Sequence, residues 1–394
     1  MRTLHVAALP FPSPQGTQAL LLQVLRALGA LGHDTHLLCY AHGVTSEPLH
    51  AQPFAIHRVR ARSTTDSLRS GPSLDKLRLD ASLAAELVRL TKSLAPDLIV
   101  AHHVEAATCA LFAERRATNV PFVFVAHTSL AHELPSYLGS AWSSAAPLVS
   151  HVGRRFERSL VRRASHTFAV SPLLATLLAE DSGCAVHTLP LPWPVERLPT
   201  ARDVVSARAS LGYELSDEVA LYAGNLDAYQ GLDAMLPALA NLATARPSLR
   251  LLIATESDPQ ALRPLLRQLH LTRRTQFVPL AGEAARRRVH AAADLALIPR
   301  RCAGGVPIKL LDALARGLPC VAARLALAGF PFEPYCEVVD HQPYAWELAM
   351  TRVLSRPDTA RLRAQSGRAH VQSTMRPELL VAALVNQAPN RERS

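Results

Sequence analysis

The sequence predicts an α/β protein built from two doubly wound parallel-sheet domains. Its 394 residues are long for one domain and comfortable for two, each able to bury a full core. Apolar stretches of strand length alternate with amphipathic helical stretches along the whole chain, the grammar of parallel sheets wrapped by helices. Near the middle a proline-rich passage from Leu189 to Pro199 breaks this alternation, because it continues neither a helix nor a central strand. The expected partition is a first domain over 1–190, a linker over 191–203, a second domain over 204–372, and a C-terminal helix and tail over 373–394.

Residues 4–9 read as the first strand, followed by the loop Pro10 to Gly16 and a helix whose Leu20, Val24, Leu28 and Leu31 recur at helical spacing. Gly32 closes that helix, and Thr35–Cys39 is the next strand. Further strands are expected at 98–101, 121–126 and 167–170, alternating with helices at about 73–94, 105–117, 150–163 and 172–181. Beyond the linker the opening pattern recurs: a strand at 219–223, a loop from Gly224 to Gly231, and a helix over 232–245. Strands at 250–254, 276–278, 295–298 and 320–322 complete the second sheet. Ligands of open α/β sheets bind outside the carboxyl ends of strands. The loops to watch are therefore 12–17, 102–105, 127–133, 224–231 and 300–306.

Composition narrows the function classes. Hydrophobic residues make up 49% and no apolar run reaches the roughly 18 residues a spanning helix needs. The first ten residues are too short an apolar stretch for a signal peptide, so a cytoplasmic location is expected. Six scattered cysteines form no C-x-x-C pair and fit reduced, buried thiols. A net charge of +10 favours polyanions or anionic lipid surfaces. Aromatics are only 5% and the arginines are dispersed, which argues against specific nucleic-acid binding.

The most informative segment runs from Gly304 to Ala322. Gly304 and Gly305 let a backbone approach a phosphate or a sugar ring, and the following helix offers free N–H groups and a partial positive charge. Lys309 and Asp312, three residues apart, share a helical face, where the lysine would meet phosphate and the carboxylate would accept from ribose hydroxyls. An ordinary helix with an i,i+3 pair, closed by Gly317 and Pro319, explains the segment equally well when it is taken alone. The basic stretch 151–163 carries Val152, Phe156 and Leu160 at helical spacing. Its favoured reading is a surface helix with that stripe turned to its own domain; the other is a helix lying on an anionic membrane.

Several of these loops together resemble one family. Pro14 to Thr17, Gly32-His33-Asp34, Ala126-His127-Thr128, Phe168 to Ser171, Tyr222 to Leu226 and Gly304 to Ala322 occur in the order and spacing of GT-B glycosyltransferases of the family 4 type. The resemblance covers nearly the whole chain and implies two Rossmann-like domains facing across a cleft. It also implies a retaining, metal-independent transfer of sugar from a nucleotide-diphosphate donor to a glycan or lipid-linked acceptor, as in cell-envelope polysaccharide biosynthesis. No cofactor is expected besides the nucleotide-sugar, which is a substrate, and peripheral contact would be with the inner, anionic face of the membrane.

By that resemblance His127 lies at the donor sugar and the reacting centre. Glu133 reads either as the group that orients an acceptor hydroxyl or, equally well, as a loop or helix-cap carboxylate; these two are the catalytic candidates. Substrate binding falls to Gly16, Thr17, His103, Gly224, Asn225, Arg300, Arg301, Gly304, Gly305, Lys309 and Asp312. His102 and His103 lack further metal ligands and read as acceptor-pocket or structural residues, and no metal site is expected. Without a metal, Gly16 at a helix start and Lys309 with Arg300 or Arg301 must neutralise the diphosphate.

The chain departs from the family at three places. Gly304 stands where the family has a Glu, and Asn225 and Gln230 stand where its phosphate loop has Arg and Lys. A catalytically weak or inactive GT-B-like module that binds a nucleotide or glycan for a partner enzyme is therefore the alternative. A nicotinamide-dependent oxidoreductase is excluded, since the turn after the first strand is Phe11 to Gly16 and holds no G-x-G-x-x-G.

Overall fold

The computed structural model describes residues 1–13, 16–41, 52–60, 74–117, 120–134, 145–301, 305–340 and 342–387, leaving out the side chains of Leu74, Ala117, His132 and Glu133. Gly304 and the carboxylate of Glu133, both expected in the site, lie outside the described residues. The chain forms two compact units, one from Met1–Pro192 with Gly304–Val306 and Met375–Ser394, the other from Trp193–Ala303 with Pro307–Thr374.

The first unit holds a seven-stranded sheet of β1 (Arg2–Ala7), β2 (Asp34–Cys39), β3 (Ala55–Arg58), β4 (Leu98–His102), β5 (Phe122–Ala126), β6 (His166–Ala169) and β7 (His187–Thr188). The strands lie in the order β3-β2-β1-β4-β5-β6-β7, and every pairing is parallel. Around them run α1 (Gly16–Ala30), α2 (Leu74–Leu94), α3 (His103–Ala117), α4 (Leu130–Glu133), α5 (Ala146–Val161) and α6 (Pro172–Ser182). All residues of β4 and β5 are buried, as central parallel strands covered on both faces must be.

The second unit repeats the plan with β8 (Glu218–Ala223), β9 (Leu249–Ala254), β10 (Thr275–Val278), β11 (Leu295–Ile298), β12 (Cys320–Ala323) and β13 (Glu337–Val339), in the order β10-β9-β8-β11-β12-β13. Its helices are α7 (Ala201–Leu211), α8 (Leu232–Ala245), α9 (Arg263–Gln268), α10 (Gly282–Ala292), α11 (Ile308–Ala315), α12 (Pro343–Ser355) and α13 (Pro357–Thr374). The last helix, α14 (Pro377–Val385), belongs to the first unit and packs against α1.

In both sheets the strand order reverses beside the first strand, between β1 and β4 and between β8 and β11. Crevices at such switch points are where ligands bind in this architecture. The loops after β1, β4, β8 and β11 are thereby marked out by topology alone.

The structure corrects the sequence reading at the strands. The first strand is Arg2–Ala7 rather than 4–9, because Arg2 and Thr3 already pair with Asp34 and Thr35, while the Leu9 N–H turns back to the Ala7 carbonyl. Three short strands, β3, β7 and β13, escaped detection. They lie at or next to sheet edges and include exposed or half-buried His, Arg, Thr and Glu side chains, so neither an apolar run nor a clean alternation announces them.

Candidate active site

In the second unit the loop after β8 and the start of α11 come together. Gly224 has φ +150°, and a Cβ built on it would lie 2.1 Å from Cε and 2.7 Å from Nζ of Lys309. Glycine thus leaves room for the lysine side chain to cross the backbone of the loop. The Lys309 ammonium donates to Gln230 Oε1 at 2.8 Å and lies 5.4 Å from the centroid of the Tyr222 ring. Gln230 in turn donates through Nε2 to Asn225 Oδ1 at 2.5 Å, and Asn225 Nδ2 donates to Asp227 at 2.7 Å and to the Tyr229 hydroxyl at 3.1 Å. The Tyr222 hydroxyl closes the loop by donating to the Asn225 carbonyl. The two neutral residues Asn225 and Gln230 therefore form a relay that holds the Lys309 ammonium.

The other charged candidates are engaged. Arg300 lies 6.0 Å from the Tyr229 ring, and Arg301 pairs with Asp233 at 2.9 Å while its backbone N–H donates to the Tyr229 carbonyl. These contacts join the loops after β8 and β11. Asp312 accepts from Arg286 at 2.8 Å through Oδ2. Lys309 and Asp312, expected on one helical face, thus reach different partners. Gly305, at φ +66°, introduces α11.

In the first unit Gly16 and Thr17 open α1 after β1, and Gly16 is exposed. His127 follows β5 and is 4% exposed. Its Nε2 lies 3.1 Å from His102 Nδ1, and His102 Nε2 lies 3.0 Å from His5 Nδ1, so three buried imidazoles form one row. Burial holds all three below the ordinary histidine range, His5 at about 3. His103 stacks on His127 with ring centroids 4.4 Å apart and planes 15° apart. Its backbone takes φ +70°, a strained value for a non-glycine residue that places its ring there.

The helix after His127 is fastened from α5. Glu157, 2% exposed, accepts from the Ser129 hydroxyl at 3.1 Å and from the Leu130 N–H at 3.0 Å. Burial pushes its carboxyl above the usual range, against the pull of these donors. A Cβ on Gly153 would lie 3.2 Å from the Leu130 carbonyl oxygen and 3.3 Å from Ala131 Cα, so the glycine sets how closely α4 approaches α5. The adjoining face of α5 leaves Leu148, Val152 and Phe156 exposed beside Arg154, Arg155 and Arg158. This corrects the favoured reading of that stripe at two of its three residues: Leu160 is buried as expected, but Val152 and Phe156 are turned outward because Gly153 and Glu157 occupy the inner face.

Comparison with known proteins decides the family. The model of Glycosyltransferase Family 4 matches residues 14–197, and that of Glycosyl transferases group 1 matches residues 217–354. The chain belongs to the GT-B glycosyltransferases. It is 28% identical over 295 residues to a D-inositol 3-phosphate glycosyltransferase of Saccharomonospora viridis, covering 70% of this chain and 66% of that relative. With the Segniliparus rotundus protein of the same name it shares 28% over 178 residues, 43% of this chain and 39% of the relative. The matches thus span less than two thirds of these curated relatives. Among solved structures, sucrose-phosphate synthase from Thermosynechococcus elongatus aligns with a TM-score of 0.79 at 17% identity, over 98% of this chain and 97% of that one. Anabaena HepE in complex with UDP and glucose gives 0.77 at 17%, over 98% and 99%. At such identities the likeness is one of fold.

Within this family frame, sequence reading missed the parts that hold others in place. His5, Glu157, Arg286 and the bridging role of Gln230 were not anticipated. A signal existed for two of them: His5 interrupts an otherwise apolar stretch, and Glu157 stands on the same helical face as Gly153 and Leu160. Contacts such as Arg286 to Asp312, 26 residues apart, leave no local trace.

Proposed function

We propose that the chain transfers a sugar from a nucleoside-diphosphate donor, without a bound metal and with retention at the anomeric carbon, to a glycan or lipid-linked acceptor. The observation that carries this reading is Lys309 laid across Gly224 and aimed by Gln230. An ammonium at a bare glycine backbone, beside the start of a helix, is suited to the charge that develops on a departing diphosphate. Asp312 would accept from the ribose and Arg286 would fix its carboxylate. His127 would contact the donor sugar, with His103 stacked behind it. UDP is the first nucleotide to test, because the Anabaena HepE structures are complexes with UDP and UDP-glucose.

A lipid-linked acceptor is supported by α5, whose exposed Leu148, Val152 and Phe156 lie among arginines. Such a helix suits the boundary of an anionic bilayer. Among the described residues no helix is long and apolar enough to cross a membrane, so contact would be peripheral.

The test is a panel of UDP-, GDP- and ADP-sugars scored by thermal stabilisation and then by turnover. One donor should raise the melting temperature and be consumed, with Lys309→Ala losing both effects. Stabilisation by a nucleotide with no turnover across donors and acceptors would favour the non-catalytic module instead.

A further inference from the structure

The row His5, His102, His127 is produced by sheet register. His102 pairs with Ala7 across β1 and β4, and with Val125 across β4 and β5. His5 is two residues before Ala7 and His127 two residues after Val125. Side chains two apart on a strand share a face, so the three imidazoles step diagonally across one face toward the carboxyl edge.

The row has only two consistent proton arrangements. Burial disfavours the cationic form of each ring, so each imidazole carries one N–H and offers one acceptor. The protons then either all point outward, from His5 Nδ1 to His102 Nε2 and from His102 Nδ1 to His127 Nε2, or all point inward. His5 Nε2 chooses between them, because it is buried and has no hydrogen-bond partner. The inward arrangement would leave an N–H donor unsatisfied there, whereas the outward one leaves only a lone pair. A buried orphan donor is the costlier of the two.

We propose that His5 and His102 are positioning residues that fix His127 as the neutral Nδ1–H tautomer, so that it meets its ligand as a hydrogen-bond donor and not as a base. This deepens the proposed function and rests on its reading that His127 faces the donor sugar. With Nε2 accepting from His102, the ring presents Nδ1–H to a sugar hydroxyl oxygen. Proton removal from the acceptor must then come from elsewhere, the leaving diphosphate or a group beyond His127.

The test uses the full chain labelled with 15N-histidine. Long-range 1H–15N correlation spectra at neutral pH should show His127 protonated on Nδ1 and unprotonated on Nε2. His5→Phe keeps a ring of similar size but removes the inner donor, and should give His127 a mixed tautomer. In the same variant the KM for donor should rise about tenfold with kcat changed less, as expected for one lost hydrogen bond. His5→Asn, whose amide can donate to His102, should restore both the spectrum and the KM to within about twofold. A proton on His127 Nε2, an imidazolium at neutral pH, or an unchanged tautomer in His5→Phe would overturn the proposal. The donor-sugar reading fails separately, if His127→Ala turns over at the full rate.

Discussion

Lys309 and Gln230, 79 residues apart in sequence, are joined by a hydrogen bond of 2.8 Å, and Gln230 is itself held by Asn225. A cation on one element is thus aimed by two neutral amides on another. The loop after β8 therefore holds a single ammonium in a defined place through neutral side chains. Its effect on donor binding can be measured.

Lys309→Ala should weaken donor binding by about 10- to 100-fold, the range for losing a hydrogen bond to a charged group. Gln230→Ala leaves the charge but removes its guide, and should cost less, about fivefold. Calorimetric titration with the donor found in the panel would rank the two; equal losses would show that Gln230 does more than orient.

Glu157→Ala should lower stability by about 2 kcal/mol, since it strips the Ser129 hydroxyl and the Leu130 N–H of their acceptor. Gly153→Ala sets a helix-propensity gain of about 1 kcal/mol against the crowding of a Cβ at 3.2 Å from the Leu130 carbonyl oxygen, so a net loss would show that α4 is held rigidly on α5. Urea unfolding measures both. A loss of donor turnover larger than the loss of folded protein would show that α4 matters to the reaction.

Acid should destabilise the first unit through its histidines. His5 binds a proton near pH 6.5 when unfolded but only at about 3 in the fold. Between those values the unfolded chain holds more protons, so stability falls as pH drops, by up to about 1.4 kcal/mol per pH unit for each excluded proton. His102 and His127, also lowered by burial, act in the same direction. Glu157, raised by burial, acts oppositely where its own carboxyl titrates. His5→Phe takes one excluded proton out of this balance, and the variant should lose less stability between pH 6.5 and 5.

Vesicles rich in anionic lipid should co-sediment the chain at low salt, and replacing Leu148, Val152 and Phe156 by Ser should release it. Charge reversal at Arg154 and Arg155 should do the same and remove the salt dependence. Binding that ignores all five substitutions would place any lipid contact elsewhere.

The architecture was legible because periodicity survives in a single sequence. Strands such as Phe122–Ala126 are continuous apolar runs, and helices such as Leu232–Ala245 place Leu232, Leu236, Leu239 and Ala243 on one face. The loops that matter were legible for a topological reason, since a parallel sheet puts its ligand at strand carboxyl ends. What could not be read was which residue holds which. His5 and His102 meet only because β1 and β4 are neighbours, although 97 residues separate them. The direction of the α5 stripe failed for a related reason: Val152 and Phe156 have the right spacing for a core face, but the space inside is taken by a glycine and a glutamate that bind another helix.

The contact between Gly224 and Lys309 couples two positions 85 residues apart in sequence. A methyl at 224 would collide with the far end of a flexible chain, so Gly224→Ala need not unfold the domain; it would swing the ammonium off Gln230 and strain a backbone at φ +150°. Effects of changes at 224 and 309 should then be far from additive, because once the lysine is evicted or truncated the second change has less left to disturb. A double-mutant cycle over Gly224→Ala and Lys309→Ala should therefore return a coupling comparable with either single effect.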